Sequence, residues 1–127
     1  MSQLKRKNIF IIDDDAMLTE TLSDYITREV PHKVSIFSTG EECLDKIEEA
    51  PDIIILDYYL NTVNKDAANG MEILKSLRKL CPESHIIMFS NQEQYNIALQ
   101  TIQKGALEYV IKDENAFKEI ASIIEGL

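Results

Sequence analysis

Polar side chains that could carry out chemistry stand directly after four apolar runs of this sequence. They are Asp13 and Asp14, Asp57, Ser90, and Lys112. Short continuous apolar runs are typical of strands buried on both faces of a parallel sheet. In open α/β sheets the carboxyl ends of the strands share one edge, and ligands bind at that edge. We therefore expect these five residues to meet at one site.

A cluster of these residue types suits phosphoryl transfer. Crowded carboxylates repel one another and raise one another's pKa, and Lys112 would offset only part of the negative charge. A divalent cation would offset more, and all-oxygen ligation favours Mg²⁺. Asp57 could then act as a nucleophile that forms an acyl phosphate, while the Ser90 hydroxyl bonds a phosphoryl oxygen. The cation and the Lys112 ammonium would counter the charge of the transferring group.

Alternating strand and helix patterns must position these residues. The predicted strands are Asn8–Ile12, Val34–Phe37, Ile53–Leu56, Ile86–Phe89 and Leu107–Ile111. Amphipathic helical patterns follow each of them. Five βα units without repeats or linkers predict a single α/β domain over residues 1–127, a doubly wound parallel sheet with helices on both faces.

Several helix ends can also be located from the sequence. Asp15 is a plausible N-cap for the first helix. Thr39 and Glu42 match a capping box at the start of the second helix. That helix is predicted to continue through Ile47 and to stop before Pro51. Gly105 is predicted to be the C-cap of the fourth helix.

Composition excludes some functions and suggests a location. The formal net charge of −9 argues against a nucleic-acid-binding surface. No stretch approaches the roughly 20 apolar residues of a membrane span, and the basic N-terminus precedes no signal-peptide core. Cys43 and Cys81 lack metal-binding or redox spacing, so we expect them to be reduced thiols of a cytoplasmic protein.

The ordered set of strand-end residues resembles the receiver domain of two-component response regulators, over essentially the whole chain. The resemblance implies a flavodoxin-like (βα)5 fold with strand order 2-1-3-4-5. It also implies that Asp57 is the phospho-acceptor and that Asp14 is a direct Mg²⁺ ligand. Asp13 would be a direct or water-mediated ligand, the backbone carbonyl of Tyr59 would complete the protein's ligand set, and Lys112 would contact the phosphoryl group.

The resemblance further implies a switch and a set of partners. Ser90 and Tyr109 match the family's switch pair, in which the hydroxyl moves toward the phosphate and the aromatic ring turns inward. The phosphoryl donor would be a sensor histidine kinase or a phosphotransfer protein. The target would be a downstream effector protein or a C-terminal output domain outside this chain. Such a domain catalyses its own phosphorylation and dephosphorylation while acting mainly as a signalling switch.

Three features depart from the common receiver pattern. Asp113 replaces the proline that usually follows the lysine, so we expect a trans Lys112–Asp113 bond, because a non-proline cis bond costs about 2.5–4 kcal/mol. The polar segment 61–70 is long for a βα loop and could form a lid or a partner surface. Asn91 is larger than the residue that usually follows the switch hydroxyl and could slow phosphoryl entry or loss.

Two other function classes compete with this hypothesis. A receiver-fold binding module that works without phosphorylation is possible, but it would not need this acidic set and Lys112. A phosphatase of the haloacid-dehalogenase type needs a second aspartate two residues after the nucleophile, and Tyr59 stands at that position. The phospho-accepting switch is therefore the leading hypothesis.

Overall fold

The computed structural model of this protein describes residues 6–60, 66–91 and 95–127. The strands are β1 (Asn8–Ile12), β2 (Lys33–Phe37), β3 (Ile53–Asp57), β4 (His85–Ser90) and β5 (Glu108–Ile111). The α-helices are α1 (Ala16–Ile26), α2 (Gly40–Leu44), α3 (Gly70–Leu80), α4 (Tyr95–Gln103) and α5 (Ala116–Gly126). The first half of the segment predicted to be a lid or partner surface, residues 61–65, lies outside the described residues.

The strands form one parallel sheet in the order β2-β1-β3-β4-β5. This confirms the predicted fold class and strand order. The order reverses direction between β1 and β3, and such a reversal opens a crevice at the carboxyl ends of the two strands. The fold therefore places the residues after β1 and β3 side by side.

Apolar side chains of the central strands alternate between two cores, one on each face of the sheet. One core joins the strands to α1 and α5, with residues such as Ile55, Leu22 and Ile120. The other packs against α2 and α3, with residues such as Leu56 and Leu74. Burial on both faces explains why the central strands appear as uninterrupted apolar runs.

The predicted helix ends are confirmed at three positions. Asp15 accepts a hydrogen bond from the Leu18 N–H at 3.1 Å, which caps α1. Thr39 and Glu42 form the reciprocal capping box of α2. Gly105 has a φ of 113°, and the hydrogen bonds around it close a Schellman motif at the end of α4.

The second helix is shorter than predicted. The α-helical turns of α2 end at Leu44, and Ile47–Glu49 form a separate 3-10 turn. The turn ends at Ala50 in the left-handed conformation, with a φ of 53°. Pro51 restricts the residue before it to non-helical backbone, so the chain must leave the helix before β3 can begin.

Gly70, the first residue of α3, lies against the backbone that leaves β3. Its N–H donates to the Tyr58 carbonyl at 2.8 Å. A Cβ atom at this position would overlap the Asp57 carbonyl and lie 2.6 Å from Tyr58 Cα. Backbone atoms cannot give way as the end of a flexible side chain can. Glycine is therefore required where α3 meets the end of β3.

We expect Gly70→Ala to destabilise the protein by about 2 to 3 kcal/mol, because the added methyl group overpacks a site bounded by backbone. Gly126→Ala is the matched control, since a Cβ atom there meets nothing within 4 Å, and we expect a change within about 0.5 kcal/mol. Urea unfolding of both variants measures the difference. Equal stabilities would show that the backbone after β3 can move away from α3.

Candidate functional site

The strand register brings the predicted acidic residues together. Ile12 pairs with Leu56 in the parallel β1–β3 ladder, so Asp13 comes next to Asp57 at the carboxyl edge. Oxygen atoms of Asp13, Asp14 and Asp57 all lie within 4.8 Å of one another. They line a depression of about 480 Å³ together with Lys112, which arrives from the end of β5.

Lys112 connects the two buried carboxylates. Its Nζ lies 2.7 Å from Asp13 Oδ2 and 3.4 Å from Asp57 Oδ1. The Lys112 backbone is fixed by its N–H, which donates to the Ser90 carbonyl at 2.9 Å. The peptide bonds of the described residues include no cis bond, so Lys112–Asp113 is trans, as expected. The lysine thus reaches both acidic strand ends without a proline after it.

The Asp57 carboxyl is the electrostatically strained group of the site. Only 4% of this residue is exposed. Burial and the neighbouring Asp13 charge raise the pKa of Asp57 to about 7, although Lys112 and the Tyr59 N–H act in the opposite direction. The Tyr59 N–H donates to Asp57 Oδ1 at 3.2 Å. One lysine therefore compensates the paired carboxylates incompletely.

The residues at this edge fit a magnesium ion. Asp13 Oδ2 is fully buried, and its contact with Lys112 is an ion pair without the alignment of a hydrogen bond. Oxygens bound to one Mg²⁺ at about 2.1 Å lie no more than about 4.2 Å apart, so small side-chain rotations would bring the three carboxylates into range. A divalent cation here would also relieve the repulsion that raises the pKa of Asp57. Tyr59, the fourth predicted ligand, lines the same depression.

Ser90 and Tyr109 lie together beside this cluster. Ser90 ends β4 and is fully buried. Tyr109 packs half-buried against the core on the α3 face of the sheet. Burial raises the pKa of the Tyr109 phenol, a hydrogen bond with Ser90 partly offsets this effect, and the nearby Tyr59 and Asp57 raise the pKa further. The two predicted switch residues therefore interact directly.

Asn91 and Tyr59 form part of the rim of the depression. Both residues are exposed. The Tyr59 ring meets the Tyr58 ring edge to face, with centroids 4.9 Å apart. Asn91 thus stands at the rim, where the size of its side chain can affect access to Asp57.

Two contacts near the site were not expected from the sequence. Asn69 caps α3 and forms a reciprocal capping box with Glu72, a pattern that the Asn-x-x-Glu spacing could have revealed. Glu41 is exposed, yet its Oε2 accepts the Ala68 N–H at 2.9 Å. A contact between residues 27 positions apart has no local sequence signal.

No helix in the described part of the chain combines the length and apolar character needed to cross a bilayer.

Comparison with known proteins identifies the family. The sequence model of the response regulator receiver domain matches residues 9–125. The chemotaxis protein CheY of Thermotoga maritima is 28% identical over 107 residues, which cover 84% of this chain and 85% of that protein. The probable C4-dicarboxylate response regulator DctR of Bacillus subtilis is 33% identical over 112 residues, which cover 85% of this chain but 46% of DctR.

Solved structures show the same fold. The BeF3-activated receiver domain of DrrB, a Thermotoga maritima protein, superposes with a TM-score of 0.83 at 24% identity and covers 96% of this chain and 97% of that one. A Burkholderia pseudomallei response regulator with a phosphorylated aspartic acid, calcium ion and citrate superposes with a TM-score of 0.75 at 24% identity. The superposition covers 94% of this chain and 71% of the Burkholderia chain. Since the family model spans nearly the whole chain, this protein belongs to the response regulator receiver domain family.

Proposed function

We propose that this receiver domain accepts a phosphoryl group on Asp57 with the help of Mg²⁺, and that the donor is a histidine kinase or a phosphotransfer protein. The observation that carries the proposal is the buried Asp57 carboxylate, held between Asp13 and Lys112 at the open edge of the sheet. A purely structural position would not require three carboxylates and one lysine in this arrangement, because buried like charges destabilise a fold. We also propose a cytoplasmic location for this protein, as expected from the sequence.

The proposed reaction is a displacement at phosphorus. An Asp57 carboxylate oxygen forms the new P–O bond, the P–N bond of phosphohistidine breaks, and the released imidazole nitrogen takes a proton. A magnesium ion held by Asp13, Asp14, Asp57 and the Tyr59 carbonyl would neutralise charge on the phosphoryl oxygens. Lys112, which follows β5 and lies 3.4 Å from Asp57 Oδ1, supplies positive charge beside the transferring group.

We further propose that the acyl phosphate is read out through β5 and α4. The Ser90 hydroxyl would bond a phosphoryl oxygen and so change its contact with Tyr109, which lies on β5. The neighbouring α4 exposes Tyr95, Leu99 and Ile102 at helical spacing. This exposed apolar face could bind an effector protein or an output domain. A switch driven by phosphorylation would act by changing how much of this face is exposed.

Phosphorylation can be tested by intact mass after incubation with acetyl phosphate. We expect a Mg²⁺-dependent gain of one phosphoryl group on the wild-type protein, because the donor needs only an accessible Asp57 and its charge partners. Asp57→Asn removes the nucleophile while keeping its shape, and we expect no adduct. Circular dichroism confirms that the variant is folded.

A wild-type protein that gains no mass and does not bind beryllofluoride would overturn the proposal. That pair of results would favour the receiver-fold interaction module that works without phosphorylation. Beryllofluoride separates this outcome from rapid hydrolysis, since it coordinates the carboxylate as a mimic of the phosphoryl group that is not lost by hydrolysis.

The charge cluster also predicts a pH-dependent stability. Because the pKa of Asp57 is about 7 in the folded protein and near 3.8 ordinarily, the folded state binds this proton more tightly than the unfolded state. The Asp57 contribution to stability therefore falls as pH rises from about 4 to 7 and stays low above that range. Without Mg²⁺ at pH 8, we expect Asp57→Asn to be more stable than wild type by about 2 to 4 kcal/mol.

Urea unfolding in EDTA between pH 4 and 8 measures this difference. The stability gap should close toward pH 4, because there Asp57 is protonated in the folded wild-type protein and becomes partly protonated in the unfolded chain as well. Adding Mg²⁺ at pH 8 should narrow the gap, because the wild type offers the cation one more carboxylate than Asp57→Asn and is therefore stabilised more. A gap that stays constant over this pH range would contradict the raised pKa.

A further inference from the structure

Helix α2 reaches across to the segment that returns from the functional site. Glu41 lies in the first turn of α2, and its Oε2 accepts the Ala68 N–H at 2.9 Å. The adjacent Glu42 has a different task, because its carboxylate bonds Ser38 and Thr39 and caps its own helix. The two neighbouring acids therefore act on different parts of the structure, although both occupy an exposed helix turn.

A short series of contacts links Ala68 to the site. Ala68 is two residues before Gly70, whose N–H donates to the Tyr58 carbonyl. Gly70 also lies directly against the backbone of Asp57 and Tyr58. Tyr59, the residue after Tyr58, donates its N–H to Asp57 Oδ1. Backbone that is held at Ala68 is thus held beside the phospho-acceptor as well.

We propose that Glu41 is a positioning residue for the cation site: by holding Ala68 it keeps Gly70 against Tyr58 and orients the Tyr59 backbone toward Asp57. The inference rests on the proposed function, since it assigns Glu41 a role in the same Mg²⁺ site. Through its side chain, Glu41 makes a hydrogen bond from α2 to this segment. It connects the edge of the sheet that carries β2 to the site at its centre.

The size of the effect follows from the strength of one hydrogen bond. Without Glu41 the backbone at Ala68–Gly70 samples more conformations, and the cation must select the fraction in which Tyr59 is correctly placed. The loss cannot exceed the free energy of the deleted bond. For a single hydrogen bond this limits the change in Mg²⁺ affinity to about threefold to tenfold.

Three variants separate the hydrogen bond from the charge. Glu41→Ala removes both, and we expect the Mg²⁺ dissociation constant to rise about threefold to tenfold. Glu41→Gln removes the charge but keeps an acceptor oxygen, so its affinity should stay within about twofold of wild type. Glu48→Ala is the matched control, because Glu48 is an exposed acid of the following 3-10 turn without a described hydrogen bond or ion pair. Calorimetric titration with Mg²⁺ measures all three.

Amide hydrogen exchange of the Mg²⁺-free proteins gives an independent readout. In Glu41→Ala the Gly70 amide should exchange about threefold to tenfold faster, although its own partner, the Tyr58 carbonyl, is unchanged. Glu41→Gln should restore wild-type exchange at Gly70. Faster exchange at Gly70 together with weaker Mg²⁺ binding supports the role of Glu41.

Two outcomes would overturn the positioning role of Glu41. Glu41→Ala could leave both Gly70 exchange and Mg²⁺ affinity unchanged, or Glu41→Gln could weaken Mg²⁺ binding as much as Glu41→Ala does, which would point to charge alone. A wild-type protein that does not bind Mg²⁺ would contradict the proposed function instead. In that case Gly70 exchange decides whether Glu41 holds this backbone.

Discussion

The contact of Lys112 with two buried carboxylates is the interaction on which this site depends. Asp13 and Asp57 are forced together by the β1–β3 register, and their repulsion is large because little water reaches them. Lys112 offsets part of it at 2.7 and 3.4 Å. Burial, together with the remaining repulsion from Asp13, raises the pKa of Asp57, so a cation at this edge would favour the charged carboxylate. This arrangement lowers the stability of the fold at this edge, and a bound cation would offset that cost.

The apolar sheet below the site makes this arrangement possible. Each central strand is buried on both faces, and the two cores fix the ends of β1, β3, β4 and β5 relative to one another. Side chains at these ends lie on rigid elements, so the cluster does not need to be assembled from mobile loops when a ligand arrives. In contrast, α4 buries little beyond Thr101 among the residues described and exposes an apolar face. A lightly packed helix beside a rigid site is suited to change position at small energetic cost.

The segment that follows Asp57 runs from the functional site to helix α3. Its start is fixed by the Tyr59 N–H and its end by Gly70 and the Asn69 cap. The Glu41 carboxylate adds a contact from a different element. These bonds lie between Asp57 and helix α3, so the backbone nearest the proposed cation is held from several directions.

The sequence by itself determined the fold, because uninterrupted apolar runs followed by amphipathic helices allow few architectures other than a doubly wound parallel sheet. It also determined which residues reach the edge, since each of Asp13, Asp57, Ser90 and Lys112 stands at the end of an apolar run. Local chemistry was enough for the Asp15 cap and the Thr39 capping box. Only the tertiary structure decided where α2 ends, that Asp57 is the strained carboxyl, and that Glu41 bonds Ala68. Those properties depend on burial and on contacts between residues far apart in the chain, which no local pattern encodes.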